Sequence, residues 1–359
     1  MCFDCIYFCD YMKSYRLTNE RFWKFKLDIG KLTNYYKERY SVKSSTDWKD
    51  YEITYKNRLS IATAEIRPVI KAAAAPLTQN MRFIGRPLKV SIVDKVLILL
   101  LKDIFDTSNR KTANLLPLFG KLHNIQTSYK TIERLYSDPL VSIILHNMFV
   151  IMVLRKGITH VDISGDGTGY SLTIKKHYAS NVKKKNGNRK MFAYAFAFID
   201  LKTKMYVGYG TGMRSEKEAF ISAKQMMNSL GIKVDSVRLD KYYTGQSIVK
   251  KFGMYTKFYI LPKSNTTVNG NKKWHETWRD LMIDTMVFLK EYYRRESSES
   301  GFASDKKSNG WNVWQRRFDR IATAVMCKGI WHNLLVLGGG LLMSQSWYLI
   351  LIILSVHLI

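Results

Sequence analysis

Tyr292, Arg295, Glu299 and Lys306 are spaced three, four and seven residues apart. At about 100° per residue they fall within roughly 60° of one another on a helix. A stripe with one carboxylate between two cations and a phenol suits a phosphodiester held against a metal ion. Upstream, Asp166 and Asp240 each close a run that reads as a β-strand. Two strand-end aspartates followed by a helix-borne glutamate, in a chain of formal net charge +28, point to metal-dependent chemistry on DNA.

Each of these residues also has a plainer reading. Asp166 stands in Gly165-Asp166-Gly167-Thr168, and an aspartate in a turn often bonds its own backbone. Asp162 shares its strand parity and is the fallback for that position. Asp240 suits the N-cap of a helix that follows Tyr243. Glu291 and Glu296 lie near Glu299 but outside the stripe. Ser297, Ser298, Ser300 and Gly301 are poor helix formers, and a helix that stops among them leaves Lys306 on a following turn.

The elements that must position these groups fall into two regimes. Residues 88 to 150 read as mainly helical, with Val93, Val96, Leu97, Leu100, Leu101 and Ile104 as the buried stripe of one helix. Ser108 to Leu116 and Ser128 to Tyr136, separated by Phe119-Gly120-Lys121, resemble a helix-turn-helix whose second helix presents Lys130 and Arg134 to DNA. The Ala72–Ala75 run ending at Pro76 reads as a hinge. From Gly157 the pattern changes to strands at 159–163 (resuming at 170–174), 191–199 and 204–210. A helix from the Ser215 cap follows, then a strand at 234–240, a helix at 245–252, a strand at 257–261 and a helix at 276–299. That order matches an α/β ribonuclease H-like fold, a mixed sheet flanked by helices. The divisions expected are 1–75 (helical, no role assigned), 88–150 (helical and DNA-binding), 157–337 (catalytic) and 338–359 (an apolar tail).

Bulk properties narrow the class. With 359 residues and 46% apolar content the chain builds a core, and 57 Lys and Arg against 29 Asp and Glu call for a polyanionic partner. The Lys183–Lys190 run, with Lys184 and Lys185, reads as a DNA backbone contact or a solvated loop. Cys2, Cys5 and Cys9 have no fourth ligand nearby, so the first eleven residues read as an extension ahead of Met12 rather than a metal cluster. Four cysteines and no visible secretory signal fit a reducing, cytoplasmic setting. The apolar stretch Trp347–Ile359 falls short of the roughly 20 residues a membrane helix needs, and no membrane is expected. A buried terminal element and a tail translated from a shifted frame are both consistent with it.

The chain resembles the DDE transposases of prokaryotic insertion sequences, in the branch with the signature Tyr-x2-Arg-x3-Glu-x6-Lys, which Tyr292, Arg295, Glu299 and Lys306 match at every spacing. Asp166-Gly167-Thr168 is similar to the family's first acidic position, Leu239-Asp240-Lys241 with Tyr243 to its second, and Trp331-His332-Asn333-Leu334 to its closing helix. The short interval between Asp240 and Glu299 departs from relatives that carry a β-rich insertion there. The resemblance implies that Asp166, Asp240 and Glu299 hold two Mg²⁺ ions (Mn²⁺ substituting) about 3.5–4 Å apart. It further implies that Arg295 and Lys306 clamp phosphates, that Tyr292 meets a distorted terminal nucleotide, and that His332 and Asn333 pack or cap. The expected partners are element terminal inverted repeats and target DNA, with a homodimer joining two ends. A non-catalytic DNA-binding protein derived from an inactivated transposase, or a nuclease of the same fold that only hydrolyses, remain the alternatives.

Overall fold

Glycine spacing explains how the sheet and its main flanking helix come so close. In β3 (Tyr206–Gly212), Gly208, Gly210 and Gly212 point to one face. A Cβ on any of them would overlap the backbone of the helix α7 (Glu216–Ser229) packed there. Tyr209, of opposite parity, enters the core, and a register shift between Phe198 and Ile199 brings Tyr206 to stack on it. β2 (Phe192–Asp200) pairs antiparallel with β3, and its Phe196 and Phe198 pack against Phe220 of α7.

The computed structural model describes residues 17–40, 47–78, 89–118, 125–172 and 192–337. β1 (His160–Leu172) is antiparallel to β2 and parallel to β4 (Lys233–Leu239), which in turn is parallel to β5 (Lys257–Tyr259). The sheet order is β3-β2-β1-β4-β5, and the two-residue β6 (Asn312–Val313) joins the far end of β1 in parallel. This mixed open sheet flanked by helices is compatible with the ribonuclease H-like expectation.

Helices wrap the sheet and form a second layer. α1 (Asn19–Tyr40) and α2 (Trp48–Thr78) are followed by α3 (Ile92–Ile104), α4 (Asn109–Leu115), α5 (Tyr129–Leu135) and α6 (Pro139–Arg155). Beyond β4 come the short α8 (Gln246–Val249), then α9 (Lys272–Ile283), α10 (Thr285–Tyr293), α11 (Glu296–Asn309) and α12 (Phe318–Leu337). Ser108, a helix start in the sequence, accepts the backbone N–H of Lys111, and Ser128 caps α5 by accepting that of Thr131. Ser215 likewise caps α7 by accepting from Glu218 N, while the Glu218 carboxylate accepts from the N–H groups of Met213 and Arg214.

Three expectations need correction. The Ala72–Pro76 segment is no hinge but the last turns of α2, where Ala73 and Ala74 are buried and Asn147 of α6 donates to the Ala73 carbonyl. Small side chains serve there as a close-packing face. The buried surface of α3 is wider than a stripe, taking in Ile98, Leu99 and Lys102, because α3 packs against α2, α6 and α12 together. The single helix expected over 276–299 is instead α9, α10 and the start of α11. Among the described residues no single helix is long and apolar enough to cross a membrane. The Lys183–Lys190 run with Lys184 and Lys185, the turn at Gly120, the N-terminal cysteines and the apolar tail lie outside the described residues.

Candidate active site

The site sits where β4 leaves β1. Their parallel register runs to Gly165 beside Leu239, and β6 meets β1 only at Ser171. Between these points one edge of β1 is open, and it carries Asp166, Thr168 and Tyr170 on one face. The register ends with Gly165 beside Leu239, so Asp166 and Asp240 each directly follow the last paired residue of these two parallel strands. The glycines around Asp166 do not make a turn, contrary to the sequence reading. Residues 163–171 are paired with β2 throughout, so Asp166 lies within a long strand. Gly165 makes room for Leu239, Phe196 and Phe198, and Gly167 for the Glu216 carboxyl group.

Asp240 ends β4 and accepts the backbone N–H of Tyr242 at 2.8 Å, capping a 3₁₀ turn over Lys241–Tyr243. The plain N-cap reading therefore holds for one carboxylate oxygen. The other lies 3.7 Å from Arg295 Nη1, which also meets Glu299 Oε1 at 2.6 Å. Arg295 thus ties the end of β4 to α11. Its Nε is buried without an acceptor among the described residues.

The junction between α10 and α11 remains wound in helical turns. Arg295 N bonds to Tyr292 O and Ser298 N to Arg295 O, at 3.1 and 3.0 Å. The angular relation of Tyr292, Arg295 and Glu299 survives the break for that reason, and α11 then continues past Gly301 and Lys306 to Asn309. The serine-rich stretch does not stop it. Ser298 is buried against Ser164 of β1, whose hydroxyl lies 2.8 Å from Ser298 Oγ and 3.0 Å from the Arg295 carbonyl. On the neighbouring strand Arg238, fully buried, donates to the Glu291 carbonyl and pairs with its carboxylate. Together Ser164 and Arg238 fix α10 and α11 to the sheet.

Lys306 Nζ donates to Thr168 Oγ1 at 2.6 Å and lies over the rings of Trp311 and Tyr170 at 4.7 and 5.6 Å. It stands on the same open edge, beyond Asp166. Tyr292 is placed differently from its expected role in contacting a nucleotide: its ring is buried, with the Arg295 guanidinium 5.4 Å from the ring centre. Burial pushes its phenol up to about 12, and the ring serves as a seat for Arg295.

Electrostatics single out Asp166. Burial pushes its carboxyl up to about 6; the Gly167 N–H and Arg295 work against the rise, and Glu299 and Glu216 add to it. Arg295 is held charged despite burial by Tyr292, Glu299, Asp240 and Asp166. Burial lowers Lys306, and Asp166 partly offsets this. No set of three acidic or histidine side chains among the described residues is already drawn together around a single ion position, and Arg295 lies between Asp240 and Glu299. All three carboxylates nonetheless act on the one Arg295 guanidinium.

Asp162, the fallback, belongs elsewhere: it accepts from Ser236 and lies 3.7 Å from Arg238. His332 and Asn333 are packing and capping residues, as expected. His332 bonds Asp305 and the Lys204 carbonyl, and Asn333 accepts Tyr206 N and donates to Tyr206 O. Lys130 and Arg134 are exposed on α5, in the helical layer and off the carboxylate edge. Sequence reasoning missed Ser164, Arg238 and Glu216, which accepts from the Tyr243 hydroxyl. Glycine alternation in 165–169 was the one available signal, since it marks a strand face that something must fill.

No family model matches the chain. Over 297 residues it is 42% identical to a protein of Archaeoglobus fulgidus described as the probable transposase for insertion sequence element ISA1214, across 83% of this chain and 88% of the relative. Identity at that level over nearly the whole of both chains shows common descent, and the chain belongs to the insertion-sequence transposases.

Proposed function

We propose that the protein is a Mg²⁺-dependent DDE transposase that cleaves the ends of its element and joins the freed 3′-hydroxyl to target DNA. The observation that carries this reading is Arg295, which lies against Asp240 and Glu299 and feels the charge of Asp166, where the paired run of β1 and β4 ends. The donor set fits magnesium: three carboxylates and no thiolate or imidazole, which is hard-oxygen chemistry. Asp166, Asp240 and Glu299 would hold the ions, with Arg295 moving off the acids as they bind. When bound, the metals would stabilise charge on the attacking and leaving oxygens of an in-line displacement.

The chain's own groups do the rest. Lys306, steadied by Thr168, and Arg295, seated on Tyr292, present cations to the non-bridging oxygens of the scissile phosphate. Burial, with Glu299 and Glu216 nearby, raises the Asp166 carboxyl, and a bound cation would offset that cost. Lys130 and Arg134 on the exposed face of α5 would contact DNA at the element ends, and two copies would pair the ends. Retention of all three acids and both cations favours an active enzyme over a non-catalytic descendant.

The test uses a supercoiled plasmid carrying the terminal repeats that flank this reading frame. Wild-type protein with Mg²⁺ should yield nicked and joined products, and Asp166→Asn, Asp240→Asn and Glu299→Gln should each abolish both while still binding DNA. Wild-type rates in any one variant would remove that residue from the triad. Cutting without joining would make the protein a hydrolytic nuclease.

A further inference from the structure

Two exposed aromatic rings, each set among lysines, flank the open edge of β1. Trp311 is 60% exposed, and Lys306 lies 4.7 Å from its ring centre. Its carbonyl accepts Ser171 N at 3.1 Å, so its backbone is fixed to the end of β1. Tyr242 is 48% exposed, with Lys217 and Lys263 on its ring at 5.7 and 5.6 Å. Its N–H is held by Asp240, and its carbonyl accepts Lys263 Nζ at 2.8 Å. Exposed Lys241 adds a further cation beside it.

Their positions bracket the carboxylates. Tyr242 follows Asp240 on the side of the sheet where Lys217 of α7 lies, whereas Trp311 lies with Lys306 on the α11 side. Along β1, the five residues from Asp166 to Ser171 span roughly 16 Å. A chain crossing this edge would pass one ring, the acids, and then the other ring. Isolated exposed aromatics are ordinary on protein surfaces. Here each ring has an anchored backbone and at least one cation on it, and each adjoins a residue of the site, Tyr242 through Asp240 and Trp311 through Lys306. Aromatic faces with adjacent cations suit unpaired nucleic acid, where a base stacks on the ring and its phosphate meets the lysine.

We propose that Trp311 with Lys306, and Tyr242 with Lys217, Lys241 and Lys263, are stacking platforms that hold unpaired DNA on either side of the scissile phosphate. The proposal rests on the transposase reading for where the DNA is cut, but its test needs no cleavage. Binding of fluorescein-labelled fifteen-nucleotide oligothymidylate and of a duplex of equal length is followed by anisotropy in EDTA. Trp311→Ala and Tyr242→Ala should each weaken single-strand binding by at least about fivefold, the low end for losing one stacked base. Duplex binding should change less than twofold, and Trp311→Phe and Tyr242→Phe should restore most of the loss. Tyr255→Ala, which removes a 95% exposed ring at the opposite end of the sheet, should do nothing. Unchanged single-strand affinity in both alanine variants, or equal losses on single strand and duplex, would overturn the proposal. If the platforms bind as expected while plasmid cleavage fails, the catalytic reading falls and the binding surface stands.

Discussion

Asp166 is the residue whose environment makes the strongest solution prediction. Its folded carboxyl titrates near 6 against 3.8 for the free side chain, chiefly through burial. A raised carboxyl means that the folded state holds its proton more tightly than the unfolded chain. Its stabilising contribution is therefore complete below about pH 4 and is lost as pH rises through 6. Without divalent cation, Asp166→Asn should be more stable than wild type at pH 7.5 by about 1–2 kcal/mol, allowing for partial solvent screening. The gap should close near pH 4 and shrink with Mg²⁺, and thermal melts at each pH read it directly. Cleavage should rise with pH through about 6 for the same reason. Ser164→Ala removes the hydroxyl that anchors the Arg295 carbonyl and Ser298. A loss of about 1–2 kcal/mol in urea melts is expected, with cleavage slowed about ten- to a hundredfold as Arg295 drifts. The acids and cations were legible in the sequence because residue type and spacing alone mark them. Ser164, Arg238 and Glu216 were not, because such a polar group declares its purpose only when its partner, 27 to 134 residues away, is known.

Elements were legible where local chemistry decides them and obscure where packing does. Ser108 and Ser215 announced two helix starts through their hydroxyls. The order of strands around Asp166 and Asp240 also emerged, since apolar alternation is a local signal. Gly165, Gly167 and Gly169 misled because turn chemistry and close packing use the same residue, and pairing with β2 outweighs the turn preference. Pro68, which is exposed, and half-buried Pro76 likewise sit inside α2, a helix that packs as a whole against α6 and α12. The clearest element-scale prediction concerns Gly210, whose added Cβ would strike the backbone of α7 at Ala219 and Ala223. Gly210→Ala should destabilise the fold by about 1–3 kcal/mol in equilibrium urea unfolding. Gly231→Ala, where nothing lies nearby but φ is +66°, carries only the backbone strain of that conformation.

At the scale of the whole molecule, a net charge of +28 over the chain calls for a polyanionic partner. Affinity for long duplex DNA should fall steeply and log-linearly with salt, by about 10³–10⁵ between 50 and 200 mM if six to ten phosphates are neutralised. Filter binding across that range checks it, and a slope near zero would contradict a phosphate-dominated interface. The most direct measurement is anomalous diffraction at the manganese edge from crystals of the protein with element-end DNA and Mn²⁺. Density bounded by Asp166, Asp240 and Glu299, with Arg295 turned away from both flanking acids, is the expected result. Manganese bound elsewhere, with Arg295 still bridging Asp240 and Glu299, would contradict the assignment.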